Sequence, residues 1–303
     1  MSAATGLGAS LLAVLVHPRW WVLSLAGFLV RGGVVVLLLP LVPLPSTAAL
    51  ANALGPTLVG FVFGGPSVPF LVLVGSIALI SVAWFVLASY VGSALDLALV
   101  RDVAADDDLE SRIPPEAGSP WRAVAVRWLA HLPTVVAVVL GLAAIVDAAY
   151  SELIRPGDAA VPVALRVILR VPVHVGAIIA TWFIGEAVGG IAVRRLAWGS
   201  GIRRSIVQGV TGLVRPPGLL VLLITSTAVL GAVIVGDLAA GSAFGEVRIA
   251  FLDGGSVLER GLSIGLLSLS WAATGVLVAI ATAWRSTAWT FEVGRLQPPG
   301  QTR

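Results

Sequence analysis

Between Trp20 and Pro45 the chain reads WWVLSLAGFLVRGGVVVLLLPLVPLP. That is the length of a helix that crosses a bilayer, about 20 apolar residues. One fixed charge, Arg31, falls near its middle. An arginine at that depth costs roughly 2.5–3.5 kcal/mol on insertion scales unless it reaches the interface or meets an acceptor. The run therefore predicts a bundle as well as a span, because another helix must bring the acceptor.

Five further apolar runs follow, so that the predicted spans are Trp20–Leu41, Val68–Leu95, His131–Glu152, Val171–Val193, Pro217–Leu238 and Gly261–Trp284. Composition agrees. A soluble chain is about a quarter charged, whereas this one is 12% charged and 58% hydrophobic, with a mean hydropathy of +1.00. The expected fold is an all-α polytopic membrane helix bundle, a single transmembrane domain over residues 1–303. Short interfacial helices are expected as well, the first over Leu7–Val16. The uncharged stretch Leu50–Phe63 reads as an interfacial or re-entrant helix.

Every basic side chain other than histidine is arginine, and the arginines sit at span ends. Arg19, Arg101, Arg122, Arg127, Arg194, Arg195, Arg203, Arg204, Arg215 and Arg285 fall on one side of the predicted topology, with Arg112, Arg295 and Arg303. Arg155, Arg248 and Arg260 fall on the other, with Arg166 and Arg170 near that surface. The excess predicts that both termini face the cytoplasm of a bacterial inner membrane. The N-terminus has no basic region ahead of its short apolar run, so no cleaved signal is expected. Dispersed arginines speak against nucleic-acid binding. With no cysteine in the chain, disulfides, thiolate metal sites and thiol catalysis are excluded.

Three stretches rhyme: LLAVLVHPRWWVLSL from Leu11, VAVRWLAHLPTVVAV from Val124 and IVQGVTGLVRPPGLL from Ile206. Each is a short amphipathic segment, a basic residue near a proline, then a span. Proline is tolerated in the first turn of a helix, where its missing N–H is not needed. The pattern predicts three helical hairpins, roughly 1–103, 104–200 and 201–303. HPRWWVLSLAGFLVRGG near the start and TAWRSTAWTFEVG near the end resemble features of poorly characterised bacterial six-span integral membrane proteins. The layout is also similar to the membrane region attached to some glycerophosphodiester phosphodiesterases. That resemblance implies six spans; the soluble catalytic barrel of those enzymes is not expected, because no cytoplasmic segment is long enough to form it, and no catalytic residue carries over.

Four ionisable residues are predicted inside the spans: Arg31, Asp147, His174 and Glu186. Intramembrane charge marks either a packing pair or a functional site. Counting depth at 1.5 Å per residue pairs Arg31 with Glu186, Asp147 being the rival. Gly32 and Gly33, and Gly185 and Gly189, would let those helices approach closely. Arg166, Arg170 and His174, spaced by four, predict a basic stripe near the outer surface. An interfacial pair of Arg166 or Arg170 with Asp147 or Glu152 would contribute little, about 0–1 kcal/mol. Gly261-Leu-Ser-Ile-Gly265 matches a nucleophile-elbow pattern but opens a membrane helix rather than a strand–turn–helix. The acidic run Asp106, Asp107 and Asp108 lacks the spacing of a cation loop, and no metal, cofactor or catalytic constellation is predicted. Two functional classes lead, ahead of an intramembrane enzyme that would need Ser263 or a carboxylate pair to meet at a common depth. One is a non-enzymatic membrane subunit that organises lipid, another membrane protein or a second copy of itself. The other is a transporter of a small solute or lipid, with the intramembrane charges lining its path.

Overall fold

A computed structural model describes residues 3–42, 67–106, 118–155 and 161–295, with positions 48, 49, 52, 60, 64 and 65 between them. The expected helix over Leu50–Phe63, most of the acidic run after Asp106, and the C-terminal end lie outside these residues. Among the described residues the regular structure is entirely helical. In chain order the helices are α1 (Ala3–Val16), α2 (Pro18–Leu41), α3 (Val68–Asp106), α4 (Pro120–Ala130), α5 (Leu132–Ile154) and α6 (Val163–Arg170). They continue with α7 (Pro172–Ala197), α8 (Ile202–Val214), α9 (Pro216–Leu252) and α10 (Val257–Arg295). Six of them, α2, α3, α5, α7, α9 and α10, are long and apolar enough to cross a membrane.

The starts of these six match the sequence expectation, and a proline explains most of them. Pro18, Pro133, Pro172 and Pro216 each stand in the first turn of a span. At these breaks a short helix precedes the span: α1 before α2, α4 before α5, α6 before α7, and α8 before α9. The short-helix, break, long-helix pattern predicted from the three rhyming stretches is thus present at each of them, and again between α6 and α7.

The ends differ. Helices α3, α9 and α10 have 39, 37 and 39 residues, roughly 55–60 Å at 1.5 Å per residue. The hydrocarbon core of a bilayer is only about 30 Å thick. Hydropathy marks where lipid ends, but backbone hydrogen bonding carries the helices further. The helices run past the predicted span ends at Leu95, Leu238 and Trp284, to Asp106, Leu252 and Arg295.

The chain divides into two compact units, Met1–Val42 with Ala88–Ala130 and Ala187–Arg303, and Pro43–Leu87 with His131–Glu186. In the first unit the tightest packing lies at the arginine-rich ends of the long helices. Leu97, Val100, Val126, Ala192, Val193 and Leu196 form one buried cluster there. Val14, Trp20, Leu99, Val103 and Phe291 form another. Tryptophans of α10 fasten other elements through their indole N–H groups. Trp271 donates to the Leu37 carbonyl at 3.1 Å, and Trp284 to the Leu7 carbonyl at 3.2 Å. Gly190 lies so close to Trp289 that a Cβ there would collide with the ring. In the second unit Val72, Leu79 and Ile80 of α3 are all more than half exposed. Such contiguous apolar exposure is what lipid covers.

The glycines after Arg31 act differently from the expectation. Gly32 has φ of 102° inside a π turn over Leu29–Gly33, a conformation that glycine adopts at least cost. A Cβ at Gly33 would collide with the preceding Phe28 ring. These glycines bend α2 at Arg31 and do not admit a second helix.

Candidate functional site

Arg31 leaves α2 at this bend and reaches α3. Its Nη2 lies 2.7 Å from the Asp96 carboxylate and also donates to the Gly92 carbonyl, one helical turn away. Gly92 makes the approach possible, since a Cβ there would stand 2.6 Å from the arginine Nε. Arg127, from the last turn of α4, donates to the same oxygen of Asp96. All three side chains are largely withdrawn from the surface, at 25%, 16% and 11% exposure for Arg31, Asp96 and Arg127. Arg194 of α7 adds a third positive charge within electrostatic range of Asp96.

Arg194 is itself buried at 3% exposure. Neutral oxygens surround it. It donates to the Gly190 carbonyl at 2.7 Å, to the Ser286 hydroxyl at 2.6 Å and to the Thr290 hydroxyl at 3.1 Å. Its guanidinium also lies over the Trp289 ring, 5.4 Å from the centroid. Cation–π contact of this kind strengthens when water is excluded.

At the neighbouring helix ends His17 caps α1. Its Nδ1 donates to the Ala13 carbonyl, its ring stacks on Trp20, and its Nε2 lies 3.2 Å from Asp106. Arg19 pairs with Asp102 at 3.0 Å. Both contacts join the α1–α2 break to the end of α3.

In the second unit a different carboxylate is the centre. Glu152, at the end of α5, is 1% exposed and meets Arg166 at 2.6 Å and Arg170 at 2.7 Å. Arg166, also buried, donates to the Val161 carbonyl, and Arg170 donates to the Ser151 hydroxyl at 2.6 Å. His131 stands 3.4 Å from Glu186.

The predicted residues are therefore redistributed. The carboxylate that receives Arg31 is Asp96, which the sequence reading passed over, and Glu186 receives His131. Asp147 is exposed on α5. The basic pair Arg166 and Arg170 does close on Glu152, as one of the expected alternatives, but as a buried cluster rather than an exposed one. His174 does not continue their stripe, because the helix breaks at Val171 (φ −126°, ψ 49°) and restarts at Pro172. It packs instead over Gly141 of α5. Ser263 is an ordinary helical serine whose hydroxyl donates to the Arg260 carbonyl at 3.0 Å. Ser268, Thr274 and Thr225 donate to carbonyls four residues back in their own helices. Thr225 additionally accepts the Trp289 indole N–H at 3.2 Å. Among the described residues no group of three acidic, histidine or cysteine side chains is placed to hold a metal.

Gly92 and Asp96, four apart and so on one helical face, were the available signal for the Arg31 site. Six apolar helices with charge clusters at their ends define a multi-pass helical membrane protein. No family model, curated protein or solved structure matches the chain.

Proposed function

We propose that the protein is a non-enzymatic, multi-pass component of a bacterial cytoplasmic membrane that organises lipid or a partner protein. Both termini face the cytoplasm in this reading. The observation that supports it is the convergence of Arg31 and Arg127 on Asp96, beside the closely packed Leu97, Val100 and Val126. A solute path needs charges that face water and change partners. Here two arginines converge on one oxygen of the carboxylate, and Leu97, Val100 and Val126 pack beside it. The arrangement suits a lock between helices, which fixes their registry.

The chain contains no cysteine, so single cysteines report without background. Ser93, between Gly92 and Asp96 on α3, is 0% exposed. Ser93→Cys in proteoliposomes is expected to resist a hydrophilic maleimide while the denatured control labels completely. Rapid labelling of the native protein would instead favour a water-filled path and the transporter class. Ser2→Cys in sealed cells is expected to be protected from an impermeant reagent until the membrane is opened. Labelling without permeabilisation would overturn the orientation.

A further inference from the structure

We infer that a cleft in the first unit, between α7, α8, α9 and α10, binds the phosphate head group of an anionic phospholipid. This rests on the lipid-organising role proposed above and names its site. The cleft is small, with about 30 Å³ of space at its centre, so only the tip of a head group would enter it. Val221, Leu222 and Trp289 supply an apolar wall, and Arg195, Arg215 and Glu292 supply its charged groups.

The charge is out of balance. Arg195 is half-buried, and its Nε has no hydrogen-bond partner among the described residues. Arg204 and Arg215 act on it as like charges, and only Glu292 opposes them. Among the described residues Arg195, Arg203, Arg204 and Arg215 have no carboxylate within ion-pair distance. The arginines of the other sites differ, since Asp96 takes two of them and Glu152 takes two more. An anion would complete this cluster through charge-assisted hydrogen bonds.

Two features select a lipid over a soluble anion. The apolar wall continues into Leu219, Leu220 and Leu223, exposed side chains of the same span. Helix α8 is amphipathic: Ile202, Ile206 and Leu213 pack on the core while Arg203 and Arg204 are exposed. A helix of that kind lies in the head-group layer, and basic pockets between span ends are suited to anionic head groups.

The experiment reconstitutes the full chain in phosphatidylcholine vesicles with or without phosphatidylglycerol. It then reads which lipid remains bound after detergent extraction by native mass spectrometry. The wild type is expected to retain phosphatidylglycerol in preference to phosphatidylcholine. Each of Arg195→Gln and Arg215→Gln should lower that retention about fivefold. Gly212→Leu keeps every arginine but extends a side chain into the cleft, where a Cβ would stand 3.5 Å from Ile191, and should lower it as well. Melting temperatures in pure phosphatidylcholine show that the variants fold, and Arg215→Gln, at an exposed position, is the safest of them. Equal retention by the folded variants, or equal retention of phosphatidylcholine, would overturn the site. Displacement of phosphatidylglycerol by inorganic phosphate alone would overturn the lipid assignment in favour of a free anion. Unchanged retention together with an unlabelled Ser93→Cys would remove this site while leaving the proposed role standing.

Discussion

Asp96→Leu is expected to lower the stability of the folded protein by about 3–5 kcal/mol, the range for removing one partner of a buried ion pair. The whole stability of a folded protein is typically about 5–15 kcal/mol, so little folded protein should survive extraction. The size follows from the geometry. Leucine leaves two guanidiniums, Arg31 and Arg127, without the carboxylate on which they converge. Arg194, buried nearby, adds to the uncompensated positive charge. Arg31→Leu should cost less than Asp96→Leu, because Arg127 still meets the carboxylate. Size-exclusion profiles and thermal unfolding of the detergent-extracted variants give this order. The reverse order would mean that Asp96 is not the centre of the site.

Glu152→Leu is the second large effect, again about 3–5 kcal/mol. Glu152 is 1% exposed and Arg166 is 8% exposed, so the arginine would stay in the interior without that carboxylate. Arg166→Glu should be as severe, since it sets a second acid against Glu152. That reverses the sequence expectation of a small effect, which treated the pair as interfacial. Arg170 marks the contrast. Its side chain is 44% exposed, and Arg170→Gln should cost about 1 kcal/mol or less, as exposed pairs do. Thermal unfolding of Glu152→Leu, Arg166→Glu and Arg170→Gln separates the two cases. A mild Arg166→Glu would return the cluster to the interface.

Where the spans begin was legible, because proline after a basic or histidine residue punctuates the chain at Pro18, Pro133 and Pro216. Where they end was not. A hydropathy boundary put the second span's end at Leu95, so Asp96 fell outside the membrane by one residue and was never weighed as a partner for Arg31. The helix runs on to Asp106. Depth counting from span ends then chose Glu186. The bend at Gly32, which starts Arg31 on its way to α3, leaves no signature in apolar periodicity. Two glycines beside an arginine equally suit a close helix crossing. Arg127 and Arg194 were read as topology markers, and their burial depends on helix packing: Arg127 sits on the short α4, and Arg194 is enclosed by Ser286, Trp289 and Thr290 of α10. In the second unit the pairing of Arg166 and Arg170 with Glu152 followed from the shortness of the connection between α5 and α6. Its burial needed the three-dimensional packing of those helices.

A double-mutant cycle on Arg31 and Asp96, read as unfolding free energies in detergent or vesicles, is the most direct measurement. If the intramembrane charges form a lock, Asp96→Leu must cost less in an Arg31→Leu background than in the wild type. The coupling should lie near the upper part of the roughly 0.5–3 kcal/mol seen for contacting residues. Replacing Arg31, Asp96 and Arg127 together by leucine should then be milder than Asp96→Leu alone. Additive losses, within about 0.5 kcal/mol, with the triple variant the least stable of all, would contradict the lock.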